Sequence, residues 1–237
     1  MFNAHRSSVA RLGRPAMLTL IACGAILASA LLAACSPTFN IQTPTAQTII
    51  NKAKHATWKD ATFTFTSAAT TAGLTYHATG HGVETTKPQR SDETVTSVAG
   101  SQSQTEEIIT DGQTIYTRQQ GQPKWTKTTI PPNFGGVSPT SPTDFGSLQN
   151  LTFVGSETIE GYPTWHVKGM FTTTAQGKTT TNNVDLWVRQ DNFYVVQVKD
   201  HTTVTGQSGA VDTTLLFTKW NTGVVITPPP PSQVTTS

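Results

Sequence analysis

The stretch "ATFTFTSA", Ala61 to Ala68, sets Phe63 and Phe65 on alternate positions with threonines between them. A period of two belongs to a strand with one buried face, and β-branched threonine suits a pleated surface. Upstream, in "TPTAQTIINKAKHAT", the period is different. Ala46, Ile49, Ile50, Ala53 and Thr57 recur at helical spacing. This predicts a short amphipathic helix from Pro44 to about Ala56, with Thr43 as cap and Pro44 at the first helical position. The switch from 3.6 to 2 near Ala61 therefore reads as one helix followed by a β domain.

Downstream the period of two persists. "LTYHATGHGVE" and "RSDETVTSVAG" read as further strands separated at Lys87-Pro88. "TEEIITDGQTIYTRQQGQPKWTKT" reads as a hairpin about Asp111-Gly112, a favoured two-residue turn. That turn pairs Ile109 with Thr114, Ile108 with Ile115 and Glu107 with Tyr116. "PPNFGGVSPTSPTDFGS", Pro131 to Ser147, breaks the pattern. Within it Ser141, Pro142 and Asp144 are spaced to open a short helix. The last third carries "LTFVGSETI", "YPTWHVKGMF", "NVDLWVRQ", "FYVVQVKDHTTV" and "VDTTLLFTKW". Consecutive short strands predict an antiparallel meander rather than a βαβ pattern. Leu186 and Val188 alternate with Trp187, and Leu215 and Phe217 with Leu216, so both faces of the sheet call for cover. The end, "TPPPPSQVTTS", is rich in proline and reads as a disordered tail, 228–237.

Before the helix, Arg6, Arg11 and Arg14 precede an apolar run, "AMLTLIACGAILASALLAA", and polarity returns at Ser36-Pro37. A basic start, an apolar run and small residues before a cut describe a secretory leader. The run is also long enough to span a bilayer as a helix. Leu32-Ala33-Ala34-Cys35 looks like a bacterial lipobox, in which the cysteine thiol is acylated and becomes the new N-terminus. The organisation expected is a leader over 1–34, acylated Cys35 and a short tether over 35–43, and one domain over 44–227. The domain would then sit on the extracytoplasmic face of the cell membrane, held by lipid on Cys35.

Removing the three leader arginines from 16 Lys+Arg leaves 13 against 14 Asp+Glu, a formal charge of −1. With no basic patch left, nucleic-acid binding has nothing to stand on. The two cysteines are Cys23 in the leader and Cys35, so the mature domain holds no disulfide and must fold on its core.

Catalytic chemistry finds little support. His77 and His81 share a face if strand-borne, but Gly80 and Gly82 beside them suggest a bulge or turn, and no Cys or close carboxylate completes a metal set. His166 alternates to the side opposite Trp165, Val167 and Phe171, a surface or satisfied position. "GQSGA" at Gly206 lacks the final glycine of a nucleophile elbow and any helix after it. Glu106-Glu107 and Asp92-Glu93 read as solvated charges on polar strands. No catalytic residue, metal or cofactor is expected.

The order of these parts resembles the LolA-like superfamily, most closely the LppX/LprG type of mycobacterial lipoprotein. "IITDGQTIYTRQQGQPKW", "SPTDFGSLQNLTFVGSETIEGYPTWHVKG" and "LFTKWNTGVVITPP" are similar to that family's hairpin, short helix with following strand, and closing strand. The resemblance implies a mainly β (α+β) fold: a strongly curved, antiparallel, half-open β-barrel covered by one long and one short helix. It also implies an apolar cavity between helices and sheet that accepts acyl chains of lipids or lipoproteins, for lipid transport or transfer. Candidate lining residues are Phe63, Phe65, Trp125, Trp165, Trp187 and Phe217, although aromatics also fill ordinary β cores. The partners implied are a membrane, through Cys35, and a lipid or lipopeptide. The alternative is an envelope sensor or scaffold of the same fold whose core is filled.

Overall fold

A computed structural model describes residues 43–71, 74–129, 147–175, 177–206 and 208–236. The leader, Cys35, most of the tether and the short helix expected at Ser141 lie outside these residues.

The helix, α1 (Ala46–His55), starts two residues later than the sequence predicts. Thr45, not Thr43, is the cap: its Oγ1 accepts from the Thr48 N–H at 3.2 Å. Lys52, Lys54 and His55 in the last turn suit the negative end of the helix dipole. Ala46, Ile49, Ile50 and Ala53 form the buried stripe, as their spacing requires.

Among the described residues the strands are β1 (Asp60–Thr71), β2 (Leu74–Thr86), β3 (Gln89–Ala99), β4 (Gln102–Asp111), β5 (Thr114–Gln119) and β6 (Trp125–Thr129). They continue with β7 (Gln149–Ile159), β8 (Tyr162–Ala175), β9 (Lys178–Arg189), β10 (Val195–Val204), β11 (Gly209–Trp220) and β12 (Val234–Thr236). All join one sheet in the order β12-β6-β5-β4-β3-β2-β1-β11-β10-β9-β8-β7. Every pairing is antiparallel except β12 on β6. Two meanders, β1–β6 and β7–β11, are thus welded where β1 pairs with β11, with Phe63 opposite Phe217 and Phe65 opposite Leu215.

We call inner the face on which α1 packs. Ile49, Ile50 and Ala53 bury against Phe63, Val167, Leu186, Val188, Leu215 and Phe217, with Trp165, Phe153 and Phe193 around them. This main core lies over β7–β11 and β1. The outer face has a smaller cluster, Ile109, Trp125 and Ile226, flanked by Val83, Tyr116, Val224 and Val234.

Three local expectations change. The hairpin turns at Gly112-Gln113, with Asp111 opposite Thr114, Ile109 opposite Tyr116 and Glu107 opposite Arg118. Gly112 takes φ +57°, the left-handed conformation that glycine adopts without penalty. The slip displaces each partner by two residues, so no side chain changes face. Gly80 and Gly82 form no bulge or turn; they are regular β2 positions opposite Phe65 and Phe63. The proline-rich end is ordered. Residues 231–233 form a 3-10 turn and β12 pairs with Trp125–Lys127. Lys124 Nζ donates to the Ser232 carbonyl at 2.6 Å, and Arg90 Nη1 to that of Ile226 at 2.9 Å. Proline has little backbone freedom to lose, so few contacts suffice to hold such a segment.

Candidate functional site

The inner face changes character along the strands. Near α1 it carries large side chains; past Phe65 they shrink. Gly80 and Gly82 make the transition possible. A Cβ on Gly80 would lie 2.7 Å from Phe65 Cζ and 2.8 Å from the Thr94 carbonyl oxygen, and one on Gly82 would lie 2.5 Å from the Asp92 carbonyl oxygen. The two phenylalanine rings occupy the space that side chains on β2 would take.

Beyond Phe65 the inner positions are Ser67 and Ala69 on β1, Ala78 on β2, and Ser97 and Ala99 on β3. With side chains this small, the sheet is left with an open cavity of about 360 Å³, bounded by these residues together with Tyr76, Gln102 and Gln104 and, from alternate positions at the strand ends, His77, Val98 and Ser103. Exposed apolar side chains stand at the cavity and at neighbouring strand positions. Leu74 is 59% accessible, Tyr76 41% and Val211 36%, and the register puts Tyr76 and Val211 on either side of Ala69. Large apolar side chains held in water at and beside a cavity are the unusual observation here, since such residues are ordinarily buried.

A polar rung crosses this region. Asp200 faces Thr213, Thr213 faces Ser67, Ser67 faces Ala78, Ala78 faces Ser97 and Ser97 faces Gln104. The Ser67 and Thr213 hydroxyls are 3.1 Å apart. The Thr202 hydroxyl lies 2.7 Å from Asn182 Oδ1 and 3.1 Å from Asp200 Oδ2, and its single proton serves one of them at a time. Asp200 Oδ1 is buried without a hydrogen-bond partner among the described residues. Desolvation raises the Asp200 pKa above the ordinary carboxylate value, against the lowering effect of Thr202. Glu93, also on the inner face, is raised by desolvation and then by Asp92. These carboxylates are not simply solvated, as the sequence alone suggests. A strand's alternation puts Glu93 and Glu106 inward and Asp92 and Glu107 outward, and the latter pairs with Arg118.

A second, shallower hollow of about 430 Å³ lies at the opposite strand ends, lined by Tyr162, Arg189, Tyr194 and Trp220. Its groups are engaged with one another. The Arg189 guanidinium sits 4.0 Å from the Tyr162 ring centre and pairs with Asp191, while the Tyr194 hydroxyl donates to the Thr57 carbonyl at 2.9 Å. This is a clasp that closes the sheet end.

Of the six aromatics proposed from sequence, Phe63, Phe65, Trp165 and Phe217 are on the inner face in or against the main core. Trp125 and Trp187 are on the outer face. Trp125 packs on Ile226, and Trp187 stacks on His166 at 4.2 Å and donates its indole N–H to Glu157. The parity of β6 and β9 decides this: an aromatic one position off the core register must face outward. None of the six bounds the 360 Å³ cavity. The residues that do were passed over, because serines and alanines give no signal until their neighbours are known.

His166 sits outward between Asp185 and Glu157. His77 and His81 are exposed on the outer face of β2, and no three His, Cys, Asp or Glu side chains among the described residues come together as a metal site. No helix of the described residues is long and apolar enough to cross a membrane.

No family model matches the chain, and no curated protein matches it. Solved structures do. The structure of LprF from Mycobacterium bovis is 16% identical, with a TM-score of 0.50 over 78% of this chain and 96% of its own. The lipoprotein LppX of Mycobacterium tuberculosis is 16% identical, with a TM-score of 0.53 over 76% of this chain and 99% of its own. The chain has the fold of these two proteins: mostly β, one open, dominantly antiparallel sheet, and one helix among the described residues. That is the fold type which the order of its sequence motifs resembles.

Proposed function

We propose that this protein is a lipoprotein of the extracytoplasmic membrane face, anchored through Cys35, that binds acyl chains of a lipid on the inner face of a half-open β-barrel. The observation that carries this reading is the open cavity of about 360 Å³ lined by exposed Tyr76, with exposed Leu74 and Val211 at neighbouring strand positions. Its volume falls within the range of small-molecule sites, roughly 300–1,000 Å³. An acyl chain passing from bilayer to cavity moves between two apolar hosts, so the transfer is nearly neutral and reversible, as a carrier requires. No cofactor and no catalytic group enters this scheme. The lipobox at Leu32–Cys35 and the shared fold of the lipoprotein LppX support the anchor.

A second reading, a sensor or scaffold with no exchangeable ligand, draws support from the inner face beneath α1, where Ile49, Phe63, Val167 and Leu186 leave a filled core. Native mass spectrometry of the full chain separates the two. Added mass of one or a few lipids, lost on organic extraction, supports the carrier. A bare protein that also takes up no fluorescent phospholipid or fatty alcohol refutes it.

A further inference from the structure

The chemistry of the inner face goes further than "apolar cavity". Reading the register across the sheet, the inward carboxylates are Glu84, Glu93, Glu106 and Asp200. The one inward cation at a described strand position is Lys178, exposed at the far end of β9. All other strand-borne lysines and arginines alternate outward: Arg90 and Arg118 pair with Asp111 and Glu107, Lys168 with Asp185, and Lys199 lies over the Trp187 ring. The inner face is therefore electronegative although the mature chain is nearly neutral.

It also has the geometry of a hydrogen-bond reader. The rung from Asp200 to Gln104 places a polar side chain on five of six consecutive strands, Ala78 being the exception. Strands are spaced about 4.8 Å apart. The rung passes through the cavity at Ser67 and Ser97 and ends at Asp200, two strands from Ser67. Its terminal atom, Asp200 Oδ1, is an acceptor that lacks a donor. Buried acceptors are ordinarily satisfied, and an orphan costs roughly 1–3 kcal/mol, so one on the rung that runs out of the cavity, two strands beyond its lining, points to a donor supplied from outside the chain.

Resting on the lipid-binding reading above, we propose that the cavity selects an uncharged amphiphile with a hydroxylated head. The acyl chain lies over Ala69, Ala78, Ala99 and Tyr76, and the head lies along the rung and donates a hydrogen bond to Asp200. Serine, threonine and glutamine accept or donate as the head's hydroxyls require. Anionic heads are turned away, because they add charge to a face whose strand positions hold four inward carboxylates against one cation, Lys178 at the far end of β9.

The test compares two ligands with the same dodecanoyl chain, 1-monolauroylglycerol and laurate, below their micelle concentrations. Each is titrated into the delipidated full chain to displace the neutral fluorophore N-phenyl-1-naphthylamine. Monolauroylglycerol is expected to bind about tenfold tighter than laurate or better. Asp200→Asn keeps the shape and removes the charge, and should shrink that ratio to about threefold or less by admitting laurate. Thr213→Val removes one rung hydroxyl next to Asp200 and should weaken monolauroylglycerol while leaving laurate unchanged. Thermal melts confirm that both variants fold. Equal or tighter laurate binding, or a ratio that Asp200→Asn does not move, overturns the proposal while leaving lipid binding in place. Failure of the fluorophore and of both ligands to bind overturns the lipid-binding reading itself.

Discussion

Replacing Gly82 by alanine puts a methyl carbon 2.5 Å from the Asp92 carbonyl oxygen and 2.9 Å from Phe63 Cζ. Ordinary contact begins near 3.4 Å, so the overlap with the neighbouring strand is close to 1 Å. That neighbour is backbone within the β2–β3 ladder, and Phe63 is fully buried, so neither can swing aside. Overpacking costs about 1–3 kcal/mol, and a backbone obstacle puts this site at the upper end. Against it stands a gain of about 0.4–1 kcal/mol from stiffening the unfolded chain. The net expectation is a loss of about 2 kcal/mol, or a Tm about 4–8 °C lower for a unit of this size. Gly80→Ala meets mainly the Phe65 ring, whose edge can move, with the Thr94 carbonyl oxygen at 2.8 Å behind it. It should cost less, about 1 kcal/mol, and be partly rescued by Phe65→Leu in a double-mutant cycle. Phe65→Leu should not rescue Gly82→Ala. Gly155→Ala, which meets nothing within 4 Å, is the control and should be neutral or slightly stabilising. Urea titration of the parent and these variants, single and double, decides it. A Gly82→Ala protein as stable as the parent, or rescued as readily as Gly80→Ala, would refute the reasoning.

Asp60→Ala removes the acceptor for the Thr222 N–H, the Thr222 hydroxyl and the Gly223 N–H, and should cost about 2–3 kcal/mol by urea titration. Although burial alone raises it, the Asp60 pKa is held low by these bonds, so the stability they give persists above the unfolded value near 4 and is lost as pH falls through the folded value. Asp92, Glu93 and Asp200 have raised values, so their penalty is present at neutral pH and relieved on acidification. Melting temperature should therefore rise slightly from pH 7 towards 5 and fall below about 4, and Asp200→Asn should flatten the rise; a monotonic fall from pH 7 rules out the desolvated carboxylates as described. Deleting residues 231–237 removes β12 and bares β6, and should lower the melting temperature and raise light scattering on heating. Cys35→Ala, by the anchoring proposal, should move the protein from the membrane pellet to the soluble fraction after cell lysis.

What the sequence reveals follows from how local each signal is. The strand at Phe63 and Phe65 and the stripe Ile49, Ile50, Ala53 are periodic, and periodicity survives without knowing the fold. The β1–β11 weld is invisible, because nothing in "ATFTFTSA" says that its partner is "LLFTKW". The two outward tryptophans show the limit of composition: a large aromatic must be covered, but which face covers it depends on register. For Trp125 the cover comes from Ile226 and from Val234, the latter in the tail that proline content alone marks as disordered. The cavity was least legible of all. It exists where side chains are small and neighbours are far apart in sequence, and Ser67, Ala78 and Ser97 become a site only once β1, β2 and β3 are laid side by side.

The weld also sets the order in which the chain can finish folding. Lys59 and Asn221, which hydrogen-bond across it, are 162 residues apart. A chain emerging N-terminus first presents β1–β6 with a bare β1 edge until β11 follows. Contacts of such high order are slow to form, and an unpaired apolar edge carrying Phe63 and Phe65 is a template for association. The period between the appearance of β1 and the arrival of β11 is thus the vulnerable interval in this protein's biogenesis. Whatever shields that edge has to release it to Leu215 and Phe217.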